Sequence, residues 1–384
     1  MYENEIINAQ NHFGKILNTQ LQRIHSMNQS KQPQDLLQKS QIQIGICPGD
    51  GIGPVITKQA EYVLQHLLKQ DITSGRIRIN TIEGLTIENR ITENSAIPTA
   101  VLNELKACDV ILKGPTTTPR QGNDSPNIES ANVAMRKELD LFANIRPISI
   151  PSQNIDWIFF RENTEGSYAI GKDGIQITDD LSIDFTITTT IGCERIIRSA
   201  FEYAKTNNKK HVTAITKANI IKTTDGKFLD VFYDIAKEYP SIKADDWYID
   251  IMTAKLLDTK RRHEFQVMVL PNLYGDIITD EAAQLQGGVG TGGSANIGHQ
   301  YAMFEAIHGS APRMIAENRG KYANPSSILR ATAMLLQHIG YINESMRLDD
   351  ALTSVLADKT CEITGHNDGF TAWEFTQEII KRLK

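Results

Sequence analysis

The chain has 384 residues, a formal net charge of −6, and 40% hydrophobic and 22% charged residues, as expected for a globular protein large enough for two lobes. Its acidic balance disfavours nucleic acid as a partner, because phosphate groups bind to clustered positive charge. No apolar run reaches membrane-spanning length, so we expect no membrane association. The four cysteines are widely spaced, which disfavours a zinc site or a disulfide framework and predicts a reducing compartment.

Residues 1–41 differ from the rest of the chain because they are rich in Gln and Asn and poor in Gly. Their apolar residues recur at roughly helical spacing, which predicts an amphipathic N-terminal helix. A mitochondrial transit peptide is rich in Arg and poor in acids, whereas this segment contains Glu3, Glu5 and one arginine, Arg23. We therefore predict a cytoplasmic rather than a mitochondrial protein, with an appended helix that packs on a neighbouring subunit.

A short apolar strand over residues 42–47 leads into a glycine-rich turn and a predicted helix over residues 54–69. This order of elements is similar to a dinucleotide-binding fingerprint. After Gly49 and Gly51, however, the fingerprint requires a glycine at position 54, which is Pro54. The turn therefore gives no evidence for a Rossmann domain, although its backbone can approach a ligand and the helix N-terminus favours anions.

Beyond residue 98 the predicted strands and helices alternate, which indicates an α/β architecture. A polar loop, residues 120–129, precedes a helix that starts near Ser130, and the step from Arg146 to Pro147 predicts a lobe boundary. Residues 175–190 alternate apolar and polar side chains, as in an extended hairpin. The other predicted elements are helices over 99–106, 193–206, 228–238, 326–339 and 371–383, strands over 109–112, 157–160, 211–216, 247–251, 265–270 and 301–304, and a glycine-rich run over 287–298.

Asp276 and Asp280 follow an apolar strand and are four residues apart, so a helix places both carboxylates on one face. Carboxylates this close repel each other unless a cation lies between them, and oxygen ligands at this spacing suit Mg²⁺ or Mn²⁺. Acidic pairs are also common on solvated helix faces. The position after a strand, where open α/β sheets bind their ligands, favours the metal site.

Three arginines, Arg136, Arg146 and Arg161, lie at the ends of predicted elements. Each alone is explained as well by a surface ion pair. Together, in an acidic chain, they indicate a clamp for a polyanion, because arginine binds carboxylates through two parallel hydrogen bonds. Tyr168 and Lys217 also follow apolar strands, where partial desolvation can move the pKa of a titratable group. A packed tyrosine and an exposed lysine are the simpler interpretations of these two residues alone.

Five motifs resemble those of the β-decarboxylating dehydrogenases, the isocitrate and 3-isopropylmalate dehydrogenase family, and the resemblance extends from about residue 42 to the C-terminus. They are Pro48–Pro54, Lys113–Pro115, Arg161–Glu165, Pro271–Asp276 and His308–Pro312. The resemblance implies two α/β lobes unlike the Rossmann fold. It assigns residues 42–144 and 288–384 to a large cofactor lobe and residues 145–287 to a small dimerising lobe with a clasp-like hairpin at 169–190, and leaves 1–41 as an extension.

The resemblance also implies specific roles for residues of this chain. The three arginines match those that bind the malate moiety of the substrate, and Tyr168 matches the tyrosine that protonates the enol after decarboxylation. Lys217 and Asp250 match a pair contributed across a dimer interface, in which the lysine assists removal of the hydroxyl proton. Asp250, Asp276 and Asp280 match the carboxylates that bind the metal. The chain should then form a homodimer, or a larger assembly, with shared active sites.

Ser130 and Asn132 match the positions that distinguish substrates within the family. Isocitrate enzymes carry Ser and Asn there, whereas isopropylmalate enzymes carry apolar and acidic residues. A branched alkyl group facing Ser130 and Asn132 would leave buried polar groups unpaired, at about 1–3 kcal/mol each. The resemblance therefore implies oxidative decarboxylation of isocitrate to 2-oxoglutarate.

Related substrates remain open alternatives, namely homoisocitrate, 3-isopropylmalate, tartrate and D-malate. The long loop over residues 120–129 favours homoisocitrate among these, because it can reshape the mouth of the pocket. A regulatory subunit of a hetero-oligomeric isocitrate dehydrogenase is a further alternative. It is disfavoured because each matched catalytic position carries the expected residue.

The motifs leave NAD and NADP equally open as the cofactor. Arg313, after the His308 motif, suits the 2′-phosphate of NADP, since NAD-dependent members carry an aspartate there that binds the ribose diol. Residues 359–365 instead are similar to the tail of the NAD enzymes. The positions that the resemblance assigns to the cofactor are Lys113, Thr116, Gly298, His308, Gly309, Arg313 and Asn324.

Overall fold

A computed structural model of the protein describes residues 2–28, 34–118, 128–171, 173–288, 290 and 292–383. Its helices are α1 (Glu3–Asn28), α2 (Gly53–Leu67), α3 (Lys69–Ser74), α4 (Ile87–Thr92), α5 (Thr99–Lys106), α6 (Ala131–Glu138), α7 (Thr190–Thr206), α8 (Thr224–Ala236), α9 (Ile249–Leu257), α10 (Asn272–Leu285), α11 (Pro312–Ala316), α12 (Ser326–His338), α13 (Ile342–Ala357) and α14 (Ala372–Arg382). Its strands are β1 (Ile42–Cys47), β2 (Ile77–Thr81), β3 (Val110–Lys113), β4 (Ala143–Ile150), β5 (Ile155–Glu162), β6 (Ile175–Thr178), β7 (Leu181–Ile183), β8 (His211–Thr216), β9 (Lys243–Tyr248), β10 (Val267–Leu270), β11 (Gly293–Ile297) and β12 (Ala302–Ala306).

The chain divides into two compact units. The central unit comprises Met1–Gln32 and Phe142–Ala282, and the terminal unit comprises Pro33–Leu141 and Ala283–Lys384. These divisions in the sequence lie close to the lobe boundaries predicted at residues 144 and 287. Within the described residues, no helix is both long and apolar enough to cross a membrane.

The terminal unit is built on strands in the order β2-β1-β3-β12-β11. The first four are parallel, and β11 is antiparallel to β12. Strand β3 is buried along its whole length, and residues such as Leu112 and Phe304 form the core against α12. Parallel register aligns the carboxyl ends of β1, β3 and β12, so Cys47 and Glu305 both pair with Lys113. The three motif loops of this unit therefore leave the sheet at one edge.

The central unit is built on strands in the order β4-β5-β10-β8-β9. Strand β4 is antiparallel to β5, and the other neighbours are parallel. Strands β8 and β10 are buried on both faces, as in parallel sheets covered by helices. Arg161 pairs with Leu270 at the ends of β5 and β10, and Thr216 pairs with Tyr248 at the ends of β8 and β9. The chain thus delivers several predicted site residues to one edge of this sheet.

The predicted amphipathic N-terminal helix forms as α1, and its described contacts are with the central unit of its own chain. It packs on β6, where Ile16 is buried with Ile170 and Ile175. The predicted hairpin over residues 175–190 contains the short pair β6 and β7, and Ile187 forms only an isolated bridge with Gly166. The prediction that α1 packs on a neighbouring subunit stays a prediction.

Two local predictions differ from the structure, and one long helix was missed. The strand predicted over residues 247–251 ends at Tyr248, because Met252 and Leu256 fall one turn apart and are buried as the inner face of α9. The glycine-rich run contains a strand, β11, whose backbone lies so close to α12 that a Cβ at Gly293 would be 2.5 Å from the backbone nitrogen of Ala331. Helix α13 was not predicted.

Candidate active site

Arg161, at the end of β5, is almost completely buried and is oriented by the start of α10. Its Nε and Nη2 donate to Oδ1 of Asn272 at 2.9 and 2.7 Å, and its Nη1 donates to Asp276. Gly275 permits this arrangement, because a Cβ there would lie 2.4 Å from Cγ of Arg161. The guanidinium is therefore held rigidly with one edge against a candidate metal ligand.

Arg146 brings a second buried guanidinium to the same helix. It lies within β4, not at its end, and its Nε donates to Oδ1 of Asn144 at 2.9 Å. Its Nη1 donates to Oγ1 of Thr279 at 2.7 Å and to Oδ1 of Asp280 at 2.8 Å. Its Nη2 lies 3.8 Å from Oδ1 of Asp276. Two of the three predicted arginines thus meet both predicted metal aspartates within the central unit.

Tyr168 joins this cluster through its hydroxyl, which donates to Oδ2 of Asp276 at 2.7 Å. The Arg161 guanidinium lies over its ring, 5.5 Å from the centroid. The tyrosine is placed to exchange a proton with a group bound beside Asp276.

Lys217 and Asp250 form a separate pair at the ends of β8 and β9. The ammonium of Lys217 lies 2.6 Å from Oδ1 of Asp250 and 5.8 Å from the ring centroid of Tyr248. The hydrogen bond from Lys217 lowers the pKa of Asp250 below its ordinary value. The backbone N–H of Lys217 also donates to Asp225 at 2.7 Å, which fixes the start of the loop. The pair is exposed and preformed.

The donor chemistry of Asp276 and Asp280 fits a hard divalent cation. Both lie on one face of α10, and their side chains are 40% and 58% exposed. Mg²⁺ is commonly bound by one or two carboxylates together with waters and substrate oxygens. Across the described residues, no group of three or more His, Cys, Asp or Glu side chains forms a complete metal site. Asp250 therefore does not complete the predicted ligand set within one chain.

In the terminal unit, Lys113 and Arg136 both bind Glu305. Lys113 Nζ lies 3.2 Å from Oε2 of Glu305 and donates to the Gly114 carbonyl at 2.8 Å, while Arg136 Nη2 lies 3.4 Å from Oε1. Burial alone would raise the pKa of Glu305, but Lys113, Arg136 and Asn296 lower it to about 2. The ammonium of Lys113 thus makes its contacts within the core. In contrast, Nε of Arg136 is buried with no partner in the described part of the chain.

Ser130 and Asn132 lie at the first turn of α6, where Ser130 immediately precedes the helix. The Ser130 hydroxyl makes no capping bond to the helix backbone. Asn132 accepts a hydrogen bond from Oγ1 of Thr116 at 3.0 Å, so that a predicted substrate residue touches a predicted cofactor residue. Arg136 follows one turn later. Of the predicted long loop, residues 120–127 lie outside the described residues.

The glycine-rich turn after β1 is explained by loop packing. Gly51 has a φ of 58°, and a Cβ there would lie 2.0 Å from the carbonyl oxygen of Ser310. Asp50 N donates to the Pro115 carbonyl at 2.7 Å, and Ile52 N donates to the Ser310 carbonyl at 3.0 Å. The loop after β1 therefore forms backbone hydrogen bonds with the other two motif loops at the carboxyl ends of the strands.

Among the predicted cofactor residues, His308 has a ring nitrogen without a hydrogen-bond partner among the described residues. Its Nδ1 faces the Gly309 carbonyl at 3.0 Å, and its Nε2 is buried with no partner among the described residues. Burial lowers the pKa of His308, so the ring is neutral at neutral pH. A nucleotide base with a polar edge would satisfy this atom.

The other predicted cofactor residues have local structural roles. Asn324 accepts hydrogen bonds from the backbone and hydroxyl of Ser326 at the start of α12. A Cβ at Gly298 would lie 2.5 Å from the Asp140 carbonyl oxygen, whereas Gly309 has open space beside it. Arg313 is exposed and pairs with Glu317 at 2.6 Å.

Sequence reasoning missed Arg90, a fully buried residue of α4. It donates to the carbonyls of Thr117 and Glu129 at 2.7 and 3.0 Å, so it ties together the segments that carry Thr116 and Ser130. Burial lowers its pKa. No sequence pattern predicts this role of Arg90, because its hydrogen-bond partners are backbone carbonyls. Asn272, in contrast, lies inside a quoted motif.

The chain is similar to several known proteins. The family model for isocitrate/isopropylmalate dehydrogenases matches residues 43–380. The chain is 40% identical over 357 residues to the protein named isocitrate dehydrogenase (NADP) of Rickettsia bellii, covering 88% of this chain and 69% of that one. It is 35% identical over 334 residues to the homoisocitrate dehydrogenase of Methanocaldococcus jannaschii, covering 83% and 91% of the two chains.

A solved structure shows the same similarity. The crystal structure of isocitrate dehydrogenase from Methylococcus capsulatus matches with a TM-score of 0.78 and 34% identity, and the match covers 89% of this chain and 99% of that one. The family match and the structural match confirm the resemblance found in the motifs and the α/β fold class.

Proposed function

Because the chain belongs to the isocitrate/isopropylmalate dehydrogenase family of oxidoreductases, we propose that it oxidatively decarboxylates isocitrate to 2-oxoglutarate and transfers hydride to NAD(P). One observation carries this proposal. Within the central unit, two buried arginines and Tyr168 converge on Asp276 and Asp280. That arrangement supports binding of a 2-hydroxy acid with several carboxylates beside a divalent cation.

The arginines position the substrate in this proposal. Arg146 and Arg161 are buried and held by Asn144 and Asn272, so little side-chain entropy is lost when they bind a carboxylate. We propose that Arg136 also binds the substrate, because its buried Nε has no partner among the described residues. We assign the terminal unit to the cofactor lobe and the central unit to the lobe that dimerises.

Asp276, Asp280 and the partner subunit's Asp250 would hold Mg²⁺ or Mn²⁺. A bound cation would polarise substrate oxygens and stabilise negative charge during loss of CO₂, and a bound nicotinamide would supply the hydride acceptor. Protein side chains would move the protons. The partner subunit's Lys217, its ammonium fixed by the partner's Asp250, would assist removal of the hydroxyl proton, and Tyr168 would return a proton to carbon.

The proposal includes a dimer, because the resemblance gives Lys217 and Asp250 to the site of the partner subunit, and no group of three metal-binding side chains forms among the described residues of one chain. The surface around Lys217 and Asp250 supports association with a second copy. Ile220, whose backbone N–H donates to the Lys217 carbonyl, and Ile251, next to Asp250 in the chain, are 68% and 45% exposed. Exposed aliphatic side chains beside a preformed catalytic pair are typical of an interface.

Ser130 and Asn132 support isocitrate over substrates with alkyl side chains, because they offer polar groups where a third carboxylate would bind. The relatives named isocitrate dehydrogenase (NADP) support NADP as the cofactor. Arg313 is the cation proposed to meet its 2′-phosphate, after release from Glu317. Arg313→Ala should then raise KM for NADP and leave KM for NAD unchanged.

Homoisocitrate is the second candidate substrate, favoured by the relative that carries that name. A steady-state assay with Mg²⁺, crossing isocitrate, homoisocitrate, 3-isopropylmalate and D-malate with NAD and NADP, distinguishes these possibilities. We expect kcat/KM to be highest with isocitrate and at least about a hundredfold lower with 3-isopropylmalate.

Ser130→Leu should lower kcat/KM for isocitrate by about a hundredfold, since an unpaired polar contact and a steric change act together. Ser152→Leu, at an exposed position, is the matched control and should behave as the wild type. A preference of the wild type for 3-isopropylmalate would contradict the proposal.

A further inference from the structure

Arg161 and Tyr168 are separated by a short segment whose buried carboxylates organise its backbone. Glu162 accepts hydrogen bonds from the backbone N–H groups of Thr164, at 2.9 and 3.1 Å, and of Glu165, at 2.6 Å, and from the Thr164 hydroxyl at 2.7 Å. Both glutamates are about 3% exposed. Burial and the neighbouring charge of Glu165 raise the pKa of Glu162 to about 7.

Arg23, on the N-terminal helix, binds this segment. Its Nη1 donates to Oε1 of Glu165 at 3.1 Å, and its Nη2 donates to Oγ1 of Thr164 at 3.1 Å. Because the Thr164 hydroxyl in turn donates to Glu162, the guanidinium contacts one carboxylate directly and the other through a single hydroxyl. Arg23 therefore compensates negative charge that burial would otherwise make unfavourable.

The contact continues to the substrate-binding arginine. The backbone carbonyl of Glu165 accepts from Nδ2 of Asn272 at 3.0 Å, and Oδ1 of Asn272 accepts two of the hydrogen bonds that orient Arg161. The carboxylate of Glu165 also accepts from Thr189 at the N-terminus of α7. A shift of Glu165 would therefore disturb Asn272 and, through it, Arg161.

Helix α1 is held in place by contacts that are independent of Arg23. Ile16 is buried against Ile170 and Ile175, and the rings of Phe13 and Phe185 are 5.1 Å apart. One turn before Ile16, His12 Nε2 lies 2.9 Å from the Asp173 carbonyl oxygen. The helix thus lies across the segment after Tyr168 while Arg23 reaches the segment before it.

We propose that Arg23 is a positioning residue, through which α1 holds residues 162–168 in the geometry that Tyr168 and Arg161 need. The inference rests on the proposed roles of Tyr168 and Arg161. It assigns the N-terminal extension a role in positioning the proposed catalytic residues of its own chain. Removing the guanidinium leaves two buried carboxylates without their cation, and the backbone between them relaxes.

The test uses the full chain and four variants: Arg23→Ala, Arg23→Lys, Arg23→Gln and Lys15→Ala. Lys15 is an exposed cation on the same helix and serves as the matched control. We expect Arg23→Ala to lower kcat for isocitrate oxidation by about tenfold, since misplacement by a fraction of an ångström has effects of this size. Arg23→Lys should recover to within about threefold of wild type because it keeps the charge, and Lys15→Ala should match wild type.

A double-mutant cycle with Tyr168→Phe separates positioning from loss of stability. If Arg23 acts through Tyr168, Arg23→Ala should lower kcat by less than about threefold in the Tyr168→Phe background. Thermal unfolding midpoints are measured for every variant, and Arg23→Gln, which keeps two N–H donors, replaces Arg23→Ala if the latter does not fold.

Wild-type kcat and KM for isocitrate in Arg23→Ala, equal losses of kcat in both backgrounds with an unchanged KM, or an Arg23→Lys variant as slow as Arg23→Ala would each overturn the inference. Failure of the proposed function has a different signature, because the wild type would then not oxidise isocitrate or Tyr168→Phe would keep its turnover.

Discussion

Tyr168 donates its hydroxyl hydrogen to Oδ2 of Asp276 across 2.7 Å, while Arg161 lies over the tyrosine ring and binds the same aspartate. One carboxylate thus orients the proposed proton donor, contacts the substrate-binding arginine and is a proposed metal ligand. The proton donor and the metal ligand are therefore coupled by a direct hydrogen bond.

Tyr168→Phe should lower kcat by about a hundredfold, the smaller end of the range for loss of a general acid. KM for isocitrate should change little, because the arginines remain. Tyr233→Phe is the matched control, since Tyr233 also donates its hydroxyl to an aspartate, Asp246, but lies on α8 with an exposed ring. Steady-state rates equal to the wild type in Tyr168→Phe would contradict the proposed role.

Asp276→Asn should lower kcat by more than about tenfold and raise the Mg²⁺ concentration needed for half-maximal rate, because an amide oxygen is a weaker ligand for a hard cation than a carboxylate. The measurement is a Mg²⁺ titration of initial rates at saturating isocitrate. Asp234→Asn, on an exposed face where Asp234 pairs with Lys237, is the control. An unchanged rate at limiting Mg²⁺ would contradict a metal-binding role for Asp276.

Much of the fold was predictable because apolar periodicity is local. The strand over residues 42–47 and the helices near 99–106 and 326–339 have the predicted bounds to within one residue. Strand β11 was not predictable in this way, since glycines carry no side-chain pattern and its pairing with β12 is set by tertiary contacts. The boundary between β9 and α9 was misplaced because Ile249–Ile251 suits either structure.

The candidate site was partly predictable for the same reason. Helical spacing alone places Asp276 beside Asp280, and strand ends explain the arrival of Arg161. The contact of Lys113 with Glu305 was not foreseen, because no periodicity connects residues on strands so distant in sequence. Arg23 was counted only as evidence against a transit peptide, and its contact with Glu165 depends on how α1 packs.

Lys113→Met should destabilise the protein by about 3 kcal/mol, because it leaves the buried Glu305 with Arg136 as its remaining cation. The free energy of unfolding is measured with urea. Lys106→Met removes an exposed pair with Glu138 in the same unit and should cost less than about 1 kcal/mol. Similar values for the two variants would contradict a structural role for Lys113.

Glu162→Gln should make stability less dependent on pH. In the folded state the pKa of Glu162 is raised from 4.5 to about 7, so the folded state binds the extra proton within that window. Stability therefore falls as pH rises from about 4.5 to about 7, by at most about 1.4 kcal/mol per pH unit for one proton. Unfolding at several pH values should show a shallower slope in Glu162→Gln, and the exposed Glu138→Gln should keep the wild-type slope.

A subunit-mixing experiment tests whether the site is shared between chains. Lys217→Met and Asp276→Asn should each be nearly inactive. Lys217→Met removes a side chain that each subunit supplies to the active site of its partner, and Asp276→Asn removes a side chain that each subunit keeps in its own active site. After the two variants are mixed and reassorted, half of the dimers are mixed and each contains one intact site. Activity should therefore recover to roughly a quarter of the wild-type value.

The control mixes Tyr168→Phe with Asp276→Asn. Tyr168 and Asp276 both belong to the active site of their own chain. Every active site in a mixed dimer therefore lacks one of these two side chains. No recovery is expected from that mixture. If the first mixture also stays inactive while co-purification of two differently tagged chains confirms mixed dimers, Lys217 serves the site of its own chain and the shared arrangement is wrong.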